Sequence, residues 1–221
     1  MFEWLRRREA PPVVESFFDQ LIDKTENFSH VTWLGRPVWQ NVFDLWVMQE
    51  TIAEVKPAIL IETGTNRGGA ALFFAHLFEL MGHGIVVTID VEMMHDITHP
   101  RIAFLRGNSL APEILAQVRS LAAAGGPVMV TLDSDHSEKH VRAELAAYAP
   151  LVTPGSYLLV QDSVIDTLPR FAAGRPGPLP AIEDFLCSNP DFEVDEARSR
   201  KFLISHHPKG WLRRKTAASP A

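Results

Sequence analysis

The sequence predicts an α/β chain built on a mostly parallel sheet, and three observations carry that reading. From Ala58 onward, short apolar runs alternate with helix-spaced stretches, the pattern of β-α-β units. A glycine-rich turn follows the first of those runs. The last two runs have only a brief polar connection between them, too short for a helical crossover, so they should pair antiparallel. At 221 residues the chain is long enough for one domain with a large core and too short for two ordinary ones.

Two helical patterns precede the core. Val13, Val14, Phe17, Phe18, Leu21 and Ile22 recur at helix spacing, as do Val42, Phe43, Trp46 and Val47 after the turn-like Leu34-Gly35-Arg36-Pro37. Parallel strands are expected at 58–62, 85–90, 102–106, 128–133 and 156–161, with helical stretches at 70–81, 114–124 and 141–151 between them. Pro154-Gly155 closes the last crossover, and Arg175-Pro176-Gly177-Pro178-Leu179-Pro180 is expected to be a loop. The terminal pair is expected at 192–194 and 201–204. Five parallel strands followed by an antiparallel hairpin is the order of a Rossmann-like class I methyltransferase sheet, whereas a dinucleotide dehydrogenase domain continues with parallel crossovers. The chain divides accordingly into a helical preamble over 1–57, the core over 58–210 and a tail over 211–221.

A formal charge of -6 and a pI near 5.8 argue against a surface made for nucleic acid, which needs clustered Lys and Arg. Only Arg6-Arg7-Arg8 and Arg213-Arg214-Lys215 are locally basic, and such short runs are usually solvated ends. The first run is followed by Glu9, Glu15 and Asp19 and so is not a secretory signal; no apolar stretch reaches the ~20 residues of a membrane span. A lone Cys187 leaves no internal disulfide, and the expected compartment is the cytoplasm.

The first strand runs into Glu62-Thr63-Gly64-Thr65-Asn66-Arg67-Gly68-Gly69. Glycines allow positive φ and close approach of backbone to a ligand. In a dinucleotide fingerprint the second glycine makes room for the pyrophosphate, and here Asn66 takes that place. S-adenosylmethionine has no pyrophosphate, and its ammonium group suits Glu62. Asp90, at the end of the second strand, can accept from a ribose diol, and Ser109, after the third, lies where an adenine would. Ser109 could equally cap the helix entered through Pro112.

Strand four ends in Asp133-Ser134-Asp135-His136 and strand five in Gln161-Asp162-Ser163. If the two strands are neighbours, ~5 Å apart, Asp133 and Asp162 face one another. Two bare carboxylates at that range repel, and a bound Mg²⁺ relieves the conflict. The plainer alternative is that one of them caps a helix. A hydroxyl acceptor attacks a sulfonium methyl only when its proton leaves, which a metal and a nearby base assist; His136 and Asp135 are the candidate bases. His136 and His140 also stand four apart and could share a metal, which raises a non-haem iron hydroxylase as a rival reading.

The chain also resembles the cephalosporin hydroxylase family, which includes rhamnosyl O-methyltransferase-like proteins. The resemblance covers most of the chain and rests on Trp33-Leu34-Gly35 with Gln40, Asp44 and Gln49-Glu50, Ile61-Glu62-Thr63-Gly64-Thr65 with Gly68-Gly69-Ala70-Ala71, and His99-Pro100-Arg101-Ile102. It continues in Leu132-Asp133-Ser134-Asp135-His136-Ser137, Tyr148-Ala149-Pro150-Leu151-Val152 and Gly210-Trp211-Leu212-Arg213-Arg214. It implies a methyltransferase fold that binds S-adenosylmethionine and Mg²⁺, with Glu62, Gly64, Thr65, Arg67, Gly68, Gly69, Asp90, Ser109 and Asp133 at the cofactor and Asp133, Gln161 and Asp162 at the metal. It implies Asp135 or His136 as base and a small-molecule acceptor, the hydroxyl of a sugar or glycosylated metabolite. Self-association into a homo-oligomer is a further implication. The departure is Gln161, where the family commonly has an acid; a neutral amide keeps a carbonyl oxygen but loses a charge, which leaves room for a catalytically inactive partner subunit. Trp33, Trp39 and Trp211 could stack on a sugar, although such residues more often pack.

Overall fold

A computed structural model describes residues 12–216, so Arg6-Arg7-Arg8 and the end of the expected tail lie outside the described residues. Helix α1 (Pro12–Lys24) is followed by a two-residue ribbon, β1 (Thr32–Trp33) with β2 (Arg36–Pro37), and by α2 (Val42–Val55). Asn41 starts α2 by accepting the Phe43 amide on its side chain at 3.1 Å. The core then runs β3 (Ile59–Thr63), α3 (Gly69–Met81), β4 (Ile85–Asp90), β5 (Ile102–Arg106), α4 (Pro112–Ala122), β6 (Val128–Leu132), α5 (Glu138–Tyr148) and β7 (Tyr157–Val160). It ends with α6 (Pro178–Ser188), β8 (Phe192–Val194), α7 (Glu196–Ser199) and β9 (Trp211–Arg214).

The seven-stranded sheet has the order β5-β4-β3-β6-β7-β9-β8, and β3 to β7 are all parallel. β3 and β6 are buried at every position because helices cover both faces, which is why they read as continuous apolar runs rather than alternating ones. One face buries Ile59, Ile61, Val130 and Leu132 against α4, α5 and α6; the other buries Leu60, Val86 and Met129 against α2 and α3. Helix α1 instead joins Phe28, Val164 and Ile204 in a separate cluster beneath the C-terminal loop. Of the two expected preamble helices, α2 therefore lies on the sheet and α1 does not. The chain leaves β3 in one direction and reaches β6 from the other, so a crevice opens at their carboxyl ends, where α/β sheets bind ligands.

Two expectations are corrected. The expected strand at 201–204 is a turn with Leu203 at φ 67 and three-quarters exposed, and the second antiparallel strand is β9, inserted between β7 and β8. Trp211 and Leu212 are fully buried, so burial selected that run over the equally apolar Phe202-Leu203-Ile204, and the expected tail boundary at 211 falls inside the sheet. The Pro-Gly stretch is a loop only as far as Gly177. Pro178, Leu179 and Pro180 form the first turn of α6, where a missing amide proton costs nothing. Among the described residues no helix is long and apolar enough to cross a membrane.

Candidate active site

The crevice holds two acidic groupings. On the β3–β4 side, Glu62 is buried; its Oε2 accepts the Thr88 hydroxyl at 2.6 Å, and Thr65 Oγ1 lies 2.6 Å from that same hydroxyl. Its Oε1 is buried with no partner. Burial, with a smaller contribution from Asp90, pushes the Glu62 carboxyl up to about 8 against the hydrogen bond from Thr88. Asp90 accepts the amide of Asn66 at 2.8 Å and that of Glu92 at 3.1 Å, which ties the glycine turn to the end of β4.

The expected positive φ is met at Gly64 and Gly68, and close approach to the protein's own chain is a further reason for these glycines. A Cβ on Gly64 (φ 89) would lie 1.9 Å from the Asp133 carbonyl oxygen, and one on Gly69 2.1 Å from that of Pro37. Contact with the protein's own backbone excludes a side chain at both. Gly68 (φ 76) meets Ile97 and His95. Ser109 does not cap α4, whose N-cap is Ala111; Asn108 makes the turn by accepting the Leu110 amide. The Ser109 hydroxyl lies 3.4 Å from His140 Nε2, and its carbonyl accepts from Tyr148.

On the β6–β7 side, ligand atoms of Asp133, His136 and Asp162 lie within 4.8 Å of one another. His136 Nε2 is 3.3 Å from Asp162 Oδ2 and 3.8 Å from Asp133 Oδ1. Gln40, from the segment before α2, donates to Asp133 Oδ2 at 2.8 Å. Burial raises the Asp133 carboxyl well above its ordinary range, and Asp162, Glu62 and Glu144 add to the rise while Gln40 opposes it. Among the described residues, His136 is the one basic side chain with a nitrogen within 4 Å of the Asp133 or Asp162 carboxylates. Glu62, Asp133 and Asp162 thus form an under-neutralised pocket suited to cations. Asp162 caps no helix by its side chain and sits in the left-handed region (φ 56), which Asp tolerates.

Two candidates make hydrogen bonds of their own. Asp135 is exposed and turned outward, where its carboxylate accepts the Ser137 amide at 2.8 Å; that bond holds it below its ordinary value and occupies it in the turn leading into α5. Gln161 is buried and donates to Thr131 at 2.9 Å, which leaves its Oε1 without a partner. The rival reading, in which His136 and His140 share a metal, is not met: His140 Nε2 faces Glu144 Oε1 at 3.4 Å and Ser109, and it is not grouped with the aspartates. His136 precedes α5 rather than lying on it, so helical spacing does not align the two rings.

A second cluster, His76, Glu79 and His99, lies on α3 and the turn before β5. Each ring accepts on Nδ1, from Trp33 Nε1 at 2.9 Å and from the Arg101 amide at 3.2 Å. In the neutral rings the proton then sits on Nε2, and no lone pair remains for a cation. Trp33 stacks edge-on against Phe73 and Trp211 is fully buried, so both are packing residues. Trp39 is half exposed and, with Arg36, Pro37, Arg67, Met94 and His95, lines an open cleft of about 710 Å³ beside the glycine turn.

The rhamnosyl O-methyltransferase/CmcI family model matches residues 25–215, nearly everything described above. The chain belongs to this family. It is 39% identical over 194 residues to the rhamnosyl O-methyltransferase of Mycobacterium leprae, covering 83% of each chain. To the rhamnosyl O-methyltransferase of Mycobacterium tuberculosis H37Rv it is 35% identical over 193 residues, covering 84% of this chain and 78% of the relative. Among solved structures, CmcI with Mg-SAM aligns with a TM-score of 0.67 at 21% identity over 86% of this chain and 78% of that one, a likeness of fold. Within the family's span, the sequence pointed to no role for Glu144 or His207 and to no bond between Gln40 and Asp133. Gln40 was visible only as part of a motif, with nothing in the sequence to pair it with a residue 93 positions away.

Proposed function

We propose that this chain is an S-adenosylmethionine-dependent O-methyltransferase acting on a hydroxyl of a sugar or glycosylated small molecule, with a divalent cation at Asp133 and Asp162. The observation that carries it is the pairing of those two carboxylates with His136 at the mouth of a crevice whose other wall holds the unpartnered oxygen of Glu62. Relatives named rhamnosyl O-methyltransferases support the acceptor class, and the CmcI structure with Mg-SAM supports both cofactors.

The residues fit those groups. Glu62 Oε1 offers a buried acceptor for an ammonium proton, and a cation there favours the ionised carboxylate that burial disfavours. Asp90 holds the glycine turn and keeps lone pairs for a diol. Asp133 and Asp162 would hold the metal, and Gln161, with one buried unpartnered oxygen, is the third candidate ligand. When bound, Mg²⁺ lowers the pKa of a hydroxyl beside it, and S-adenosylmethionine supplies the methyl group. His136 Nε2 takes the acceptor's proton as the oxygen attacks, and Asp162, 3.3 Å away, stabilises the imidazolium that results. The half-exposed Phe17 and Trp46 and the exposed Leu203 support self-association, and the lone thiol Cys187 a cytoplasmic site.

The test joins calorimetry to turnover on a rhamnose-bearing acceptor. The chain is expected to bind S-adenosylmethionine and to lose turnover in chelator. Asp162→Ala is expected to abolish Mg²⁺-dependent turnover while leaving cofactor affinity in place. Full activity in chelator would refute the metal, and no binding of donor or of S-adenosylhomocysteine would refute the reaction.

A further inference from the structure

We infer that His207 is a positioning residue for Asp162, and that Asp44 on α2 in turn sets His207. The inference rests on reading Asp162 as a metal ligand. Asp162 leaves β7 with left-handed backbone, and its amide donates to Nδ1 of His207 at 3.0 Å. His207 is 1% exposed, so water does not substitute for its ring there. Accepting on Nδ1 puts the ring proton on Nε2, and that nitrogen faces Asp44 Oδ2 at 3.8 Å.

Asp44 is itself buried and is fixed by the same loop. It accepts from the Ser205 hydroxyl at 2.6 Å and from the His206 amide at 2.8 Å, and Ser205 Oγ accepts the His207 amide at 2.9 Å. Residues 205–208 are also laced to the chain just after Asp162. The Ser163 hydroxyl donates to the Pro208 carbonyl at 2.6 Å and the Val164 amide to that of His206 at 3.0 Å. The direction of the Asp162 carboxylate is thereby set from outside β7, by an imidazole on a loop that the α2 carboxylate holds through Ser205 and the His206 amide and whose Nε2 it faces. Outer partners of this kind orient metal ligands and are felt in metal affinity.

The test measures Mn²⁺ and S-adenosylhomocysteine affinities of the full chain by calorimetry. In His207→Asn the Oδ1 replaces Nδ1 as acceptor, and its Mn²⁺ affinity is expected to stay within about threefold of the parent, whereas His207→Phe is expected to lose roughly 10- to 100-fold. S-adenosylhomocysteine affinity is expected to be unchanged in both. Asp44→Asn keeps its shape and an acceptor for Ser205, and carries the test if the Phe variant does not fold; it is expected to lose about threefold or more in Mn²⁺ affinity alone. Parental Mn²⁺ affinity in a folded Phe variant, or in the Asp44 variant, overturns the inference, as does an equal fall in both affinities. A parent chain that binds no Mn²⁺ overturns it together with the metal reading, whereas Mn²⁺ binding by the parent that is lost in Asp162→Ala but unmoved by the His207 and Asp44 variants overturns this inference alone.

Discussion

On the β3–β4 side of the crevice, every polar partner comes from the adjoining β-α units. Thr88 serves Glu62 from 26 residues away, and Asn66 serves Asp90 from 24. On the β6–β7 side the partners are imported: Gln40 reaches Asp133 across 93 residues and His207 reaches Asp162 across 45. The carboxylates of the first wall are hydrogen-bonded from the sheet and its own turns. The second is completed only when the segment before α2 and the loop at 205–208 have docked. In the proposed reaction the first wall faces a methyl donor and the second faces the acceptor, so the part assembled from distant segments is the part free to vary with substrate.

Substitutions that act on one wall and spare the other break or sharpen this contrast. The largest effect is expected from His136→Ala. With its proton acceptor gone, kcat should fall roughly 10²- to 10⁴-fold, with S-adenosylhomocysteine affinity unchanged by calorimetry. A parallel loss of cofactor affinity would mean that the two walls are not independent.

That contrast also accounts for what the sequence reveals. Glu62, Asp90, Asp133 and Asp162 were legible because each stands at a strand end, and strand ends follow from the alternation of apolar runs and helices. The facing of the two aspartates follows once β6 and β7 are neighbours, which is the usual order of such a sheet and not something the alternation itself dictates. Gln40, Asp44 and His207 were not legible as neighbours of the site, since local pattern carries no information about which distant loop fills a gap. The last strand was misread for a related reason. Phe202-Leu203-Ile204 and Trp211-Leu212 are comparably apolar, and the run that is buried against β7 is the one that follows the anchoring of 205–208 on Asp44 and on the chain after Asp162, contacts that local pattern does not encode.

An intermediate effect is expected from Glu62→Gln, on the other wall. Removing the charge should weaken S-adenosylmethionine roughly 10- to 100-fold while leaving Mn²⁺ affinity in place. The cofactor-free chain gives a second readout. Glu62 is raised from 4.5 to about 8 in the folded state, so the folded chain binds the extra proton between those values. Its contribution to stability is complete below pH 4.5 and is lost as pH rises through about 8, and the raised Asp133 acts in the same direction. The thermal midpoint should therefore fall across that window, less steeply in Glu62→Gln, and an unaltered slope would remove Glu62 as its source.

The smallest effect is expected from Trp39→Ala, and it asks whether the cleft beside the glycine turn belongs to the acceptor wall. Trp39 is half exposed and lines the cleft, so truncation should leave the thermal midpoint unmoved. An aromatic face contributes about 0.5–1.5 kcal/mol to a stacked partner, which corresponds to an acceptor KM raised about two- to twelvefold. The kcat and the cofactor affinity should stay as they were, because the ring touches neither His136 nor the Glu62 side in the proposed reaction. A change in cofactor affinity instead would assign the cleft, with Arg67 at its edge, to the methyl donor, and the acceptor would then have to enter over Gln40 and the 205–208 loop.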